Sequence, residues 1–507
     1  MRQDRASSRW TQLEGSRQGF VDRCERYAAY TLPKICLPDE YQQDNDELQH
    51  DFQSVGAQAV NHLTNKIMLA MFAPSRPFVR LDPGQNILDE LARIQVSEDD
   101  VRTVLATTER KMVRELDKRA LRPKLYEALK HLVVVGNVLL YFSKESMRVM
   151  GIKKFCVKRN VEGKVIEVII KECVKFDELD VTVQEYLLST DARYKDDVKV
   201  DLFKWLVLDG KRMRMTQWVD NTMLPKKFEG AWPVDQCPYK VLTWDLSDEA
   251  DYGTGLVEDY AGDFGALSTL SEAQLNAAIL ASEFRWLVNP GGMTKVEDFR
   301  DSQNGSALPG MEGDVSLIQN GKVGELQVIQ GISNDYINRI GRGFLLSSAV
   351  IRDAERVTAE EVRMQATELE TSLGGAYSRL ASDLQRPIAN WLLKVINVDI
   401  NGTDIEVTII TGLDALSRSG DLDNLRGFLQ DMAAIAGLPE PVLVRVEIGN
   451  IIQRFAQGWG VDPQGLVKPE QQVQADMQAM QQQAMQQQVQ TAGGVAQAEA
   501  AAQQGME

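Results

Sequence analysis

The 507-residue chain is poor in cysteine: Cys24, Cys36, Cys156, Cys173 and Cys237 are widely spaced and form no Cys-x-x-Cys pair. An odd, scattered set gives neither a disulfide framework nor a zinc cage and fits a reducing compartment. Histidine is scarcer still. His50, His62 and His131 include no pair at metal-ligand spacing, and His62 and His131, on otherwise apolar helices, read as structural. Basic charge is in deficit, 56 Lys+Arg against 73 Asp+Glu, for a net charge of −17. That balance excludes a protein that grips nucleic acid by neutralising phosphates over its whole surface, and leaves room only for a local basic patch. The longest apolar run, 132–142, is broken by Gly136 and Asn137. It is about half of the roughly 20 residues a membrane helix needs, so no membrane insertion is expected. The charged start Met1-Arg2-Gln3-Asp4-Arg5 is followed by no apolar core within thirty residues. A secretory signal is therefore not expected, and synthesis in a cytoplasm is.

Catalytic signatures are missing too. Gly163-Lys164 and Gly321-Lys322 lack the first glycine and the hydroxyl of a Walker loop, and the sequence holds no His-Glu-x-x-His and no Gly-x-Ser-x-Gly. Gly253-x-Gly255 and Gly341-x-Gly343 are too short for a dinucleotide fingerprint and point to close packing or flexibility. Loop carboxylates such as Asp245, Asp248, Glu249 and Asp251, or Asp421 and Asp423, could in principle serve a two-metal nuclease. Acids near helix starts are more often caps and solvated faces, so no metal, cofactor or catalytic residue is expected.

What is present is architecture. Val60, Leu63, Ile67 and Met71 recur at helical steps between Ser54, a candidate N-cap, and Pro74, a stop. Val101, Val104, Leu105, Met112 and Leu116 form a second stripe. A third helix opens near Pro123 and runs into the apolar segment 134–142, the expected centre of a core. From about 150 to 245 the period changes to two. One hairpin turns at 160–163, and a second, 202–208 with 213–219, turns at Asp209-Gly210 in a type I′ geometry. Helix returns over 256–288, with Leu267, Leu270, Ala277, Phe284 and Leu287 on one face, and stops at Asn289-Pro290-Gly291-Gly292. A Gly-rich excursion follows before another helix around 333–346. A helix of about forty residues starts at Arg356, with Thr358 and Glu361 as a capping box and a kink at Gly374-Gly375. Further helices occupy roughly 414–458. Residues 471–507 hold 14 Gln and 9 Ala without an aromatic, too few apolar anchors for a core of their own.

Several stretches are similar to one family. They are Val55-Gly56-Ala57 with Asn61-x-Leu63 and Lys66-x-Met68-Leu69-Ala70-x-Phe72, and Leu125-Tyr126-Glu127-Ala128-Leu129-Lys130 leading to Gly136-Asn137-Val138-Leu139-Leu140-Tyr141. Next come Leu287-Val288-Asn289-Pro290, Ser348-Ala349-Val350 and Glu355-Arg356-Val357-Thr358-Ala359-Glu360-Glu361. Glu368-Leu369-Glu370 with Leu373-Gly374-Gly375, and Thr411-Gly412-Leu413 with Asp421-Leu422, complete the set. Collinear over about 20–430, they resemble the head-to-tail connector, or portal protein, of short-tailed bacteriophages of the autographivirus type.

The resemblance implies an α+β, mainly α portal fold assembled as a ring of about twelve subunits. By the same resemblance it would be a non-enzymatic conduit at one capsid vertex of the virion, made in the bacterial host cytoplasm. It implies a wing (1–255, β-rich over 150–245), a stem helix (256–288), a clip (289–326), a second stem helix (327–346) and a tunnel loop (347–355). A kinked wing helix with a return strand (356–412), a crown (413–470) and the Gln/Ala tail (471–507) follow. Implied partners are double-stranded DNA in the channel, the terminase large subunit, tail adaptors, major capsid and scaffold proteins, and internal core proteins. The tunnel loop would present Ser347, Ser348, Arg352 and Arg356 to the channel, with helix-terminal salt bridges as the alternative role for the two arginines. The clip would offer Lys295, Arg300 and Lys322 for docking. Arg339 and Arg342 on the second stem helix read as intersubunit ion-pair partners ahead of DNA contacts. At −17 per chain, twelve copies carry −204 formal charges, which suits a conduit along which DNA slides. Two competing classes stand beside this reading: a channel-less capsid or scaffold component, and a carboxylate-metal enzyme of nucleic-acid processing.

Overall fold

A computed structural model describes residues 5–39, 41, 45–72, 77–84, 86, 93, 98–190, 197–282, 285–303, 305–318, 323–346, 369, 371–398, 405–409, 427 and 430. The chain divides into two compact units, Met1–Gly412 and Leu413–Glu507, and every helix and strand named here belongs to the first. Helices α1 (Ala6–Ser16), α2 (Gln18–Tyr30), α3 (Val55–Met71), α4 (Glu98–Lys118) and α5 (Leu121–Val135) build its N-terminal part, with strand β1 (Val79–Pro83) between α3 and α4. The stripe Val60, Leu63, Ile67 and Met71 is buried as its spacing requires, each side chain worth roughly 1.5–3 kcal/mol of transfer free energy. On α4 the buried line is Leu105, Met112 and Leu116. Val104 is 64% exposed, a turn-third away from that line, so the second stripe is narrower than its spacing suggests.

The apolar run 132–142 is two elements. Helix α5 ends at Gly136, whose φ of +72° is the left-handed cap that glycine adopts without Cβ strain. Strand β2 (Asn137–Phe142) then forms the middle of a three-stranded sheet between β3 (Met147–Met150) and β10 (Tyr239–Thr243). Helix α5 and β2 lie at the centre of the largest apolar cluster.

The second sheet runs β4 (Phe155–Arg159), β5 (Val165–Lys175), β6 (Lys199–Asp209), β7 (Arg212–Val219) and β8 (Thr222–Met223), with β9 (Gly230–Pro233) also on β7. Helix α6 (Val181–Thr190) interrupts it between β5 and β6. Val168 and Ile170 face the large cluster, whereas Ile169 packs with Trp10, Phe203 and Trp218 under α1. Both faces are covered, which is why β5 reads as a nearly continuous β-branched run. The β6–β7 turn is Gly210-Lys211, since Asp209 pairs with Arg212. Of the two turn residues only Gly210 has positive φ, the signature of a type II′ turn and not the type I′ expected with Asp209 in the turn.

The helix expected over 256–288 is broken. It comprises α7 (Leu256–Asp259) and α8 (Ala261–Ser282), and its last residues are strand β11 (Arg285–Val288), paired with β12 (Val315–Ile318). A short apolar stretch serves either period, and here the partner strand thirty residues on decides it. Helix α9 (Val296–Asp301) lies inside that excursion. Helix α10 (Val323–Gly343) starts ten residues before the helix expected near 333. Helices α11 (Gly375–Leu380) and α12 (Arg386–Val395) are joined by a π-helical turn, Ala381–Gln385, and β13 (Ile405–Ile409) returns to pair with β1. The start at Arg356, the capping box of Thr358 and Glu361, the helices near 414–458 apart from residues 427 and 430, and the tail lie outside the described residues.

Candidate channel stem and docking clip

Helices α8 and α10 pack against each other along an antiparallel hairpin whose tip is the β11–β12 ladder. Their roots are locked by aromatics: Phe344 meets Tyr260 at 5.5 Å and Phe264 at 5.7 Å, both edge-on. Gly343 permits this approach, because a Cβ there would lie 2.2 Å from the Tyr260 ring. Arg339 forms an ion pair with Asp263 at 3.4 Å across the two helices, and its guanidinium stands 4.3 Å from the Tyr336 ring centroid. The charge of Arg339 is thus engaged within its own chain, while Arg342 is exposed. Farther out, Leu275 and Ile279 on α8 and Val328 and Ile332 on α10 are exposed apolar side chains.

The root of this hairpin is fixed by the Gly136-Asn137 pair. The buried Asn137 side-chain amide donates to the carbonyls of Val135 (3.0 Å) and Gly253 (2.6 Å), and its Oδ1 accepts from the Gly253 N–H at 2.9 Å. A Cβ on Gly136 would lie 2.3 Å from the backbone of Thr254. Gly253-x-Gly255 is therefore a close-packing motif, pressed against the end of α5 just before α7.

At the tip, the loop between β11 and β12 is wound around one buried carboxylate. Asp314 Oδ2 accepts from the N–H groups of Met293 (3.0 Å), Thr294 (3.3 Å) and Met311 (3.0 Å), and from the Thr294 hydroxyl at 3.3 Å. These bonds, that from Met311 foremost, hold the Asp314 carboxyl below its ordinary range. Trp286 on β11 meets Phe299 of α9 edge-on at 5.3 Å. Trp286, Leu287, Met293, Val296 and Met311 all remain exposed. Lys295 is exposed, and Arg300 pairs with its neighbour Asp301 in a solvated contact.

Helix α10 closes on a Schellman cap. Leu346 N–H bonds to Gly341 O (2.7 Å) and Leu345 N–H to Arg342 O (3.3 Å), with Leu345 at φ +57°. Leucine in that left-handed position costs roughly 1–2 kcal/mol relative to glycine. Its carbonyl receives the Lys66 ammonium at 3.1 Å and lies 3.0 Å from His62 Nε2, both on α3. His62 and Lys66 thus bind the C-terminal cap of α10.

Ser347, Ser348, Arg352, Arg356 and Lys322 lie outside the described residues. Gly374 has φ +52° and separates helical residues 371–373 from α11, which begins at Gly375. Of the loop acids, Asp251 receives Lys158 Nζ (2.8 Å) and Arg159 N–H (2.7 Å), and Asp245 pairs with Arg379 at 3.6 Å. Asp421 and Asp423 lie outside the described residues, and among those described no three His, Cys, Asp or Glu gather as a metal set. His131 is buried, and its imidazole is pushed down to about 4, chiefly by burial and secondarily by Lys154. Lys66, Asn137, Asp314 and Leu345 carry no chemical signature in the sequence. Lys66 and Asn137 stand inside the family-like stretches, whereas nothing local marks Asp314 or Leu345.

Residues 3–467 match the family model described as bacteriophage head to tail connecting protein. The chain is 32% identical over 485 residues to a portal protein of Enterobacteria phage SP6, covering 94% of this chain and 92% of the relative. It is 31% identical over 498 residues to a portal protein of Escherichia phage T7, covering 96% and 91%. Among solved structures it has a loose likeness to a chain of the neck of an empty GTA particle computed with C6 symmetry. That likeness is at 12% identity and a TM-score of 0.38, over 76% of this chain and 90% of that one.

Proposed function

The chain belongs to the bacteriophage head to tail connecting proteins and has their portal function, and on that premise we propose how its parts serve genome packaging and ejection. It is a structural virion component at the capsid vertex and not an enzyme. In this reading about twelve copies close into a ring, with α8 and α10 as the stem around the axis. The observation that carries it is the stem itself. Its root is anchored by Phe264, Leu267, Ile340 and Phe344, while Leu275, Ile279, Val328 and Ile332 face outward. An apolar strip of that kind on a projecting hairpin is what neighbouring copies in a ring cover.

The excursion 289–326 is then the clip. Its Asp314-wound loop gives a preformed, exposed surface on which the terminase large subunit docks during packaging and tail adaptors dock afterwards. The wing and crown meet major capsid, scaffold and internal core proteins, and double-stranded DNA passes along an acidic channel that does not hold it. Arg352 and Arg356, once per copy at one level of the axis, form the local exception that retains packaged DNA. Replacing both by Ala leaves rings intact and lets heads lose DNA, more so at high salt; full retention by that variant would make them structural.

Native mass spectrometry of the purified chain tests the assembly, with about twelve times 56.7 kDa expected and a monomer contradicting it. Lys295→Glu with Arg300→Glu tests the clip: rings should persist while packaged DNA falls at least about tenfold, as charge reversal repels a complementary partner. Normal terminase binding by that variant would place docking elsewhere.

A further inference from the structure

We propose that a cleft on the wing, between α12, β10 and the turn at Ser143-Lys144, is a docking site for an acidic segment of another virion protein that carries an apolar anchor side chain. The cleft holds about 560 Å³. That is the size of a few side chains, within the range of specific binding pockets. Its walls include Phe142, Trp232, Pro238, Trp391 and Val395. Trp391 is fixed in place: its indole N–H donates to Ser143 O at 2.8 Å, and its ring meets Phe142 at 5.6 Å. A rigid aromatic wall of this kind accepts an apolar side chain with little loss of its own freedom.

The rim is cationic. Arg119, Lys144, Lys240 and Lys394 line the cleft against the single carboxylate of Asp235. Arg119 is occupied by Glu115 at 3.2 Å, and Lys240 donates to the carbonyls of Val234 and Asp235. Lys144 and Lys394 are exposed, and among the described residues neither is paired with a carboxylate. Burial, with Lys394 as a minor contributor, pulls Lys240 below the usual ammonium range. An incoming carboxylate offsets part of the cost of keeping that ammonium charged in a partly buried place.

On a chain of net charge −17, such a patch is where an acidic segment is attracted and not repelled. Duplex DNA is the poorer fit. It is a convex rod bound by extended basic surfaces, whereas here two exposed ammonium groups flank a concave aromatic wall.

The site goes beyond the portal reading and rests on it only for the place of the test. Intact phage heads carrying a photo-crosslinking p-benzoylphenylalanine in place of Asn390 would be irradiated and the linked peptides sequenced. The expected product joins the cleft to a different protein, at a segment rich in Asp and Glu around a Leu, Ile, Met or Phe. Adding Lys144→Glu and Lys394→Glu should cut its yield at least tenfold with the unfolding midpoint unchanged, and Lys144→Arg with Lys394→Arg should keep it. Links only to DNA or to a second copy of this chain, or none in heads that contain the chain, overturn the proposal. Heads that lack the chain altogether overturn the portal reading and this inference together.

Discussion

The Lys66 ammonium on α3 donates to the carbonyl of Leu345 across 3.1 Å, at the residue where α10 turns out of its cap. His62, one turn earlier on α3, lies 3.0 Å from the same oxygen. Two groups from one helix thus support a backbone conformation that leucine does not favour. Lys66→Met or His62→Leu alone should destabilise the chain little, because the other side chain still meets that carbonyl. The double variant should lose about 1–3 kcal/mol beyond the sum of the singles, because only it removes both side-chain donors from the Leu345 carbonyl. Denaturant midpoints of the three variants measure this, and additive effects would show that the two do not share the Leu345 carbonyl.

Asn137 ties the end of α5 to Gly253, just before α7. Asn137→Ala leaves a buried N–H and two carbonyls without that partner. It should destabilise the first unit by about 2–4 kcal/mol, seen as a lower denaturant midpoint. A loss under about 0.5 kcal/mol would mean that the loop finds other partners.

The buried His131 makes stability depend on pH. Its pKa falls from 6.5 to about 4 on folding, so the unfolded chain binds the proton more tightly. The contribution is fully present above the unfolded value, is lost as pH falls from 6.5 towards 4, and amounts to roughly 3 kcal/mol over that interval. His131→Phe should flatten this part of the stability–pH curve, and parallel curves for the two proteins would contradict it.

In the loop between β11 and β12 the sign is set by a carboxylate. The Asp314 pKa is lowered by the N–H groups that it accepts from, so its contribution is present above the ordinary carboxylate range and lost as pH falls through its folded value. Limited proteolysis within 289–314 should be slow at neutral pH and rise in acid. Asp314→Ala should show the acid pattern already at pH 7, and an unchanged cleavage rate would mean that the loop is held by other contacts.

The fold is legible in the sequence where one period dominates. The stripe on α3 and the hairpins at 160–163 and 209–212 follow from spacing, although the second turns at Gly210-Lys211 in type II′ geometry and not as Asp209-Gly210 suggests. The hairpin of α8 and α10 is legible only in outline. Leu287 reads as the last apolar residue of a helix until Ser316, its partner in the ladder, is known. Sequence separation explains the other gaps. Asp314 organises Met293 and Thr294 from twenty residues away, and Leu345 meets Lys66 across 279 residues, so neither pairing leaves a local pattern. Arg339 reads from its spacing as facing a neighbouring subunit, and its ion pair with Asp263 exists only because α8 and α10 fold together.

The central claim is that this chain closes into a ring around a DNA channel, and single-particle imaging of the full-length purified protein tests it most directly. The account predicts rotationally symmetric rings of about twelve copies with an open axial channel, the hairpin of α8 and α10 lining it and residues 289–326 at one end. Monomers, closed shells or particles without an axial channel would contradict it.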